Sequence, residues 1–433
     1  MMRQLIPLLL LAVAVLSHEP FKVIFEWKSI DFEWLSDEVR QFAVLRGDYI
    51  PASNFITTVK FWKDKMYLTL PRWNDGVPVT LAVTSATPVN NVTAPKLEPY
   101  PDWNMQKLGD CSAFQLVHSI EIDPRGRMWV LDTGRPKTYR QFKACPARLV
   151  ILDLEDKGKI LRTYEFPNDV ASLDDTYLND IVLDHEDGVM AYITDSGKHD
   201  PGIIVYSLQN NTSWKVRHDS MKAKSEAAGF MVAKTHVINK MNVDGIALSP
   251  ASCSEEKCER QIYYTPLSSF HLHSVSVDAL KNNATRINPY VKELGRKSSQ
   301  TDGMMMSSTG VLYFGLLADD AIAMWDTKTA PSFTIGQRII SRDHVLTQWP
   351  ASFSFDHEGN LWCVTNMLQN VLNNKVNINE SNYRLIRARV GFKSYLYYEN
   401  GTAPEWPDVT ADAESVKLTF ASLLIVVLAL VAK

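Results

Sequence analysis

Short hydrophobic runs, each introduced by a turn of Asp, Gly or Asn, recur along most of this chain. They read Lys63-Asp64-Lys65-Met66-Tyr67-Leu68, Asp123-Pro124-Arg125-Gly126-Arg127-Met128-Trp129-Val130 and His185-Glu186-Asp187-Gly188-Val189-Met190-Ala191-Tyr192. Gln261-Ile262-Tyr263-Tyr264, Ser308-Thr309-Gly310-Val311-Leu312-Tyr313-Phe314 and Asp356-His357-Glu358-Gly359-Asn360-Leu361-Trp362 follow. With Met66, Met128, Met190, Ile262, Leu312 and Leu361 as anchors, the spacings are 62, 62, 72, 50 and 49 residues. A strand-and-turn phrase repeated at this period predicts an all-β, closed radial array, with its ligand site at one end of a central channel. Partial alternation at Ile122, Met128, Val130, Leu149, Ile151 and Leu154 fits half-buried strands. Turn residues punctuate at Asn74-Asp75-Gly76, Asp132-Thr133-Gly134, Asp195-Ser196-Gly197 and Glu358-Gly359-Asn360. Helices are predicted over Ser36 to Leu45, with Ser36 as N-cap, and over Met221 to Val232.

The two ends depart from this pattern. Arg3, the apolar stretch Leu5 to Leu16 and the compact Val15-Leu16-Ser17 predict a secretory signal over 1–17. One repeat domain then fills 18–405. Pro404 and Pro407 mark a linker, and 406–433 end in fifteen apolar residues from Leu418 to Ala432. As a helix that run is about 22 Å long, against a hydrocarbon core of about 30 Å. The small residues at Thr410-Ala411-Asp412-Ala413 make a GPI signal the first reading of the tail, with a short span or a tail that anchors nothing as alternatives. The first two would tether the chain to a membrane.

Composition narrows the function. The 433 residues are 45% hydrophobic and 22% charged, with formal net charge −4 and no basic tract. The chain is globular, and its charge gives no support to nucleic-acid binding. In an oxidising compartment, Cys111 and Cys145 could staple one repeat and Cys253 and Cys258 could close a small ring. Cys363, inside Leu361-Trp362-Cys363-Val364, reads as a buried free thiol. No CxxC pair or His cluster suggests a metal centre, and no cofactor is expected. Glycosylation triplets begin at Asn91, Asn210 (overlapping one at Asn211), Asn283, Asn379 and Asn400.

Two Asp-Thr/Ser-Gly triplets, at Asp132 and Asp195, have the letters of an aspartic protease. They fall at nearly the same phase of the repeat and read as blade turns. Arg46-Gly47-Asp48 reads as part of an ordered segment. The stronger candidates are polar residues near strand ends: Asn179 and Asp180, Asp244, Asp302 and Asn366. Each comes from a different repeat stretch, so closure of the ring could gather them around one axis. Oxygen-rich sets of this kind suit an amine or Ca²⁺.

Longer phrases add a family. Pro71-Arg72-Trp73-Asn74-Asp75-Gly76-Val77-Pro78-Val79-Thr80-Leu81, Gly47-Asp48-Tyr49-Ile50-Pro51 and Gly109-Asp110-Cys111-Ser112 resemble hallmarks of the yellow / major royal jelly protein family. Met128-Trp129-Val130-Leu131-Asp132-Thr133-Gly134, Tyr192-Ile193-Thr194-Asp195-Ser196-Gly197, Pro266-Leu267-Ser268-Ser269 and Thr365-Asn366-Met367-Leu368-Gln369 continue the match in order. The resemblance covers roughly residues 27 to 395 and implies a secreted six-bladed β-propeller. In the family, some members bind serotonin, dopamine and related amines in the channel, and some convert dopachrome during melanin formation. By resemblance to the amine binders, Asn366 and Ser352, the latter beside Phe353, would accept hydrogen bonds from a protonated amine. Leu368 stands where some binders have an aromatic ring, and Met367 replaces the usual Arg. A binder of a small aromatic amine or catechol-like ligand is therefore the leading expectation. A dopachrome-isomerase-type enzyme, with His118, Asp244 or Asp302 as base, is the second. A Ca²⁺-dependent lactonase using Asn179 and Asp244 is a third, on fold analogy alone.

Overall fold

A computed structural model describes residues 19–136, 144–250, 260–283, 286–330 and 332–409. Six four-stranded antiparallel sheets stand as blades around one axis, making a six-bladed β-propeller. The innermost strands, in order, are Thr58–Trp62, Val117–Ile122, Leu178–Asp184, Val243–Leu248, Met304–Met306 and Pro350–Phe355. Each packs against the innermost strands of both neighbouring blades. Five blades are built from consecutive strands. The sixth takes three strands from the end of the domain and its outer one, Lys22–Trp27, from the beginning. Lys22–Trp27 runs antiparallel to Tyr383–Arg389, with Trp27 opposite Tyr383, and so closes the ring.

The repeated phrase marks the second strand of each blade. Arg127–Asp132, Met190–Asp195, Val311–Leu316 and Asn360–Thr365 are buried along their whole length, because neighbouring blades cover both faces. Outer strands such as Lys159–Glu165 and Val291–Arg296 are mostly exposed or half-buried and read as polar. All six anchors are core residues.

The innermost strands carry a second regularity. Ladder register slips between Val117 and Ile120, Leu178 and Ile181, Val243 and Ile246, and Pro350 and Ser352. Bulges of this kind re-aim side chains. Here they coincide with His118-Ser119, Asn179-Asp180, Asp244-Gly245 and Ala351-Ser352, all of which but Gly245 line the channel. Asp302-Gly303 fill the same place just before Met304–Met306. Glycine is needed at two of these points. A methyl group on Gly245 would meet the carbonyl oxygen of Asp302, and one on Gly303 that of Ala351.

Several expectations meet the structure here. Ser36 caps a helix over Asp37–Arg46, its hydroxyl accepting from the Val39 amide at 3.3 Å, and Gly47 ends it in the left-handed region. Cys111 and Cys145 form a disulfide, and Cys363 is a buried free thiol. Asp132 and Asp195 serve turns: Asp132 Oδ1 accepts from the Leu116 and Gly134 amides, and Asp195 Oδ1 from those of Tyr177 and Gly197. Met221 to Val232 is not a helix. It starts at the end of one 3₁₀ turn, Asp219–Met221, holds a second, Ser225–Ala227, and then Gly229–Val232, which pairs with Thr235–Ile238 as a hairpin. Phe230 and Val232 are buried while Gly229 and Met231 are exposed, a period of two that overrides the helical composition. The Pro404–Asp408 segment, read as a linker, is docked. Trp406 is buried, and Arg125 and Arg127 donate to the carbonyls of Trp406 and Pro407 at 2.9 and 2.6 Å. Residues 1–17, Cys253, Cys258 and the apolar tail lie outside the described residues. Among the described residues no helix is long and apolar enough to cross a membrane.

Candidate functional site

All six blades contribute to a narrow cavity on the axis. Thr57 and Thr58, His118 and Ser119, Asn179 and Asp180, Asp244, Asp302 and Gly303, and Ala351 and Ser352 line it at one level, with Trp73, Met241, Leu267 and Leu368 above them. Its open space is about 20 Å³, room for about one water. Trp73 and Met241 also line a wider outer cavity of about 430 Å³, with Leu116, Arg135, Pro136, Tyr177 and Leu372. Trp73 Nε1 donates to the Tyr177 hydroxyl at 2.7 Å, so these two rings form the throat between the cavities.

The inner level is acidic and buried. Asp302 Oδ2 accepts from Trp349 Nε1 at 2.6 Å, and Asp180 Oδ1 from Ser119 Oγ at 2.9 Å. Asp244 is buried, and its Oδ2 makes no hydrogen bond to a side chain or backbone donor of fixed geometry; its neighbours are the Asp302 carboxyl and the Asn179 amide. Burial raises all three carboxyls. Asp180 goes to about 6, held down in part by the Lys60 charge; Asp302 goes to about 7 through burial and the Asp180 charge, and Asp244 rises well above the usual carboxylate range through burial and the Asp302 charge. His118 moves the other way, to about 4, because burial disfavours its cation. Its Nδ1 lies 3.0 Å from the Asn179 carbonyl, which places the proton there and leaves Nε2 as acceptor. Trp73 stacks on the His118 ring at 5.8 Å, and Tyr177 meets it edge-on. The Ser352 hydroxyl is buried without a partner beside the same cavity.

Beneath this level the channel narrows at a buried ion pair, Lys60 to Glu121 at 2.9 Å. Tyr395 donates to Glu121 at 3.2 Å from the strap that crosses the far end of the ring. Phe353 lies at this lower level with Ile181, Ile246, Met304 and Met305.

Five of the seven candidate ligand residues, Asn179, Asp180, Asp244, Asp302 and Ser352, thus converge on one cavity. Phe353 sits below it. Asn366 stands apart from the lining: its Nδ2 donates to the Ile56 carbonyl at 3.0 Å and its Oδ1 accepts from the Leu368 amide at 3.2 Å. Both ends of that amide are engaged in holding the turn that presents Leu368, which does line the cavity. Sequence reasoning missed Trp73, Tyr177, Met241, Leu267, Thr58 and Ser119. The repeat phase held a signal for some of them. Ser119, Gly303 and Ser352 each lie nine residues before their anchors, and Thr58 and Asp180 lie within one residue of that offset. Among the described residues no group of three or more His, Cys, Asp or Glu side chains has metal-holding geometry. The asparagines that begin the glycosylation triplets, Asn91, Asn210, Asn283, Asn379 and Asn400, are all exposed.

A propeller whose blades close around a buried acidic pocket with an aromatic throat defines the class. The description "Major royal jelly protein" matches residues 115–393, and the chain belongs to that family. Protein yellow of Drosophila guanche is 30% identical over 400 residues, 88% of this chain and 68% of the relative. Major royal jelly protein 3 of Apis mellifera is 30% identical over 397 residues, 87% of this chain and 70% of the relative. The dopaminechrome tautomerase of Drosophila melanogaster is 27% identical over 389 residues, 86% and 83% respectively.

Proposed function

We propose that this propeller takes a small aromatic amine or catechol-like ligand through its throat, in a pigmentation pathway outside the cell. The observation behind this reading is the arrangement of the channel: three buried carboxyls at its floor, and Trp73 and Tyr177 at its throat. An aromatic ring would lie in the outer cavity against Trp73, and its ammonium or hydroxyl end would reach the carboxyls. The inner pocket is too narrow for a ring as it stands, so binding opens the Trp73–Tyr177 contact. The Cys111–Cys145 disulfide supports an oxidising compartment.

Calorimetry with dopamine, and with 4-methylcatechol as the analogue lacking the ammonium group, tests this. Saturable dopamine binding, weaker by about tenfold for the analogue and for Trp73→Ala, is expected, about 1.4 kcal/mol in each case. Equal affinity for the two ligands would remove the carboxyls from the account. A second reading, an isomerase acting on a dopamine-derived quinone, is favoured by the tautomerase relative together with carboxyls raised toward neutrality.

A further inference from the structure

Asp244 and Asp302 occupy equivalent places on adjacent blades. The glycine after each lets the next blade's backbone approach, so the two carboxyls are brought together at the cavity floor. Trp349 Nε1 holds one oxygen of Asp302, and Asp244, which lines the same cavity, has its Oδ2 buried without a hydrogen-bond partner. Two carboxyls so placed do not both ionise at neutral pH. We propose that Asp244 and Asp302 hold one proton between them and act as a two-handed acid–base catalyst for tautomerisation of a conjugated carbonyl compound with an acidic C–H bond.

The inference rests on the isomerase reading and gives it a chemistry. The ionised carboxylate takes the carbon-bound proton, and the electron pair of the broken C–H bond moves into the conjugated system. The carbonyl oxygen at the other end takes the proton of the neutral carboxyl. One proton enters the pair and one leaves it, so the substrate is isomerised with no change in oxidation state. The pair ends as it began, singly protonated, with its members exchanged. No outside proton is needed between turnovers, which suits a floor shut off from solvent. Burial raises both carboxyls, and the Asp302 charge raises Asp244 further, which keeps the shared proton in place near neutrality. The other titratable groups around the pair are Asp180 and Tyr177 on the third blade, His118 on the second, Lys60 on the first and Cys363 on the sixth. Asp180 reinforces the rise, and neutral His118 adds no opposing charge.

The test uses the full chain and dopaminechrome as substrate, with Asp244→Asn and Asp302→Asn as near-isosteric variants. The wild type is expected to speed dopaminechrome loss, and each variant to lower kcat by about 10²- to 10⁴-fold, the usual worth of a positioned acid or base, with KM changed far less. Infrared difference spectra of wild type against either variant at pH 7 should show loss of one neutral-carboxyl stretch, which a merely structural carboxylate would not produce. A wild type that binds dopamine but leaves dopaminechrome at its spontaneous rate overturns the inference and leaves the binding reading intact. So does a fast variant, or a wild type with no neutral-carboxyl band. A wild type that neither binds nor turns over overturns both.

Discussion

Lys297 shows how much one side chain can set against the fold. It is fully buried, with Nζ donating to Thr265 Oγ1 at 2.7 Å and to the Ser269 carbonyl at 3.2 Å, and burial lowers it to about 7. Between pH 7 and 10.5 the unfolded chain keeps a proton there that the folded chain gives up. Stability from this group therefore rises with pH across that window, and its cost is full below it. Lys297→Met should raise the denaturation midpoint at pH 7, with the gain shrinking toward pH 10, as parallel urea titrations would read. The carboxyls of the channel follow the same physics with the opposite sign of charge. Asp180, Asp244 and Asp302 were legible in the sequence because an acid at the start of a buried strand is unusual. Trp73 and Tyr177 were not, because an aromatic residue in a strand-rich chain reads as core until the ring is closed. Asn366 was misread for a related reason: the motif around it is preserved, while its amide is turned to the backbone.

At the scale of the element, the informative unit is the bulged start of each inner strand. The second strands were legible as hydrophobic runs because both of their faces are covered. The bulges were not, since a one-residue slip leaves no mark in composition. Gly303 couples this element to the site. Gly303→Ala would press a methyl group on the Ala351 carbonyl and on the Ser352 backbone. It should destabilise by about 1–3 kcal/mol, the cost of overpacking, and weaken dopamine binding as the fifth and sixth blades part. Thermal melts and calorimetry on one preparation would check both effects. The hairpin at Gly229–Val232 was lost to sequence reading because Met221 to Val232 mixes helix formers with a period-two segment too short to stand out.

The whole molecule is a ring held shut by its two ends. Phe25 and Trp27 are buried on the closing strand, and Trp27 Nε1 donates to the Pro95 carbonyl at 2.9 Å. Trp27→Ala should cost about 3–5 kcal/mol as a large core truncation. Because the lesion lies at the seam, hydrogen exchange should rise first in Lys22–Trp27 and Tyr383–Arg389. The six-fold repeat was legible from spacing alone. Closure was not, because Lys22–Trp27 precedes the first repeat and carries no copy of its phrase.

That seam also fixes an order of events during synthesis. Lys22–Trp27 leaves the ribosome before any other strand of the propeller, and its partner Tyr383–Arg389 after all the others. For nearly the whole of translation the first strand is a sheet edge without a neighbour, the kind of edge that recruits the wrong chain. Lys22 at its start, and Glu26 on the face away from Phe25 and Trp27, keep charge on that edge until the last blade arrives.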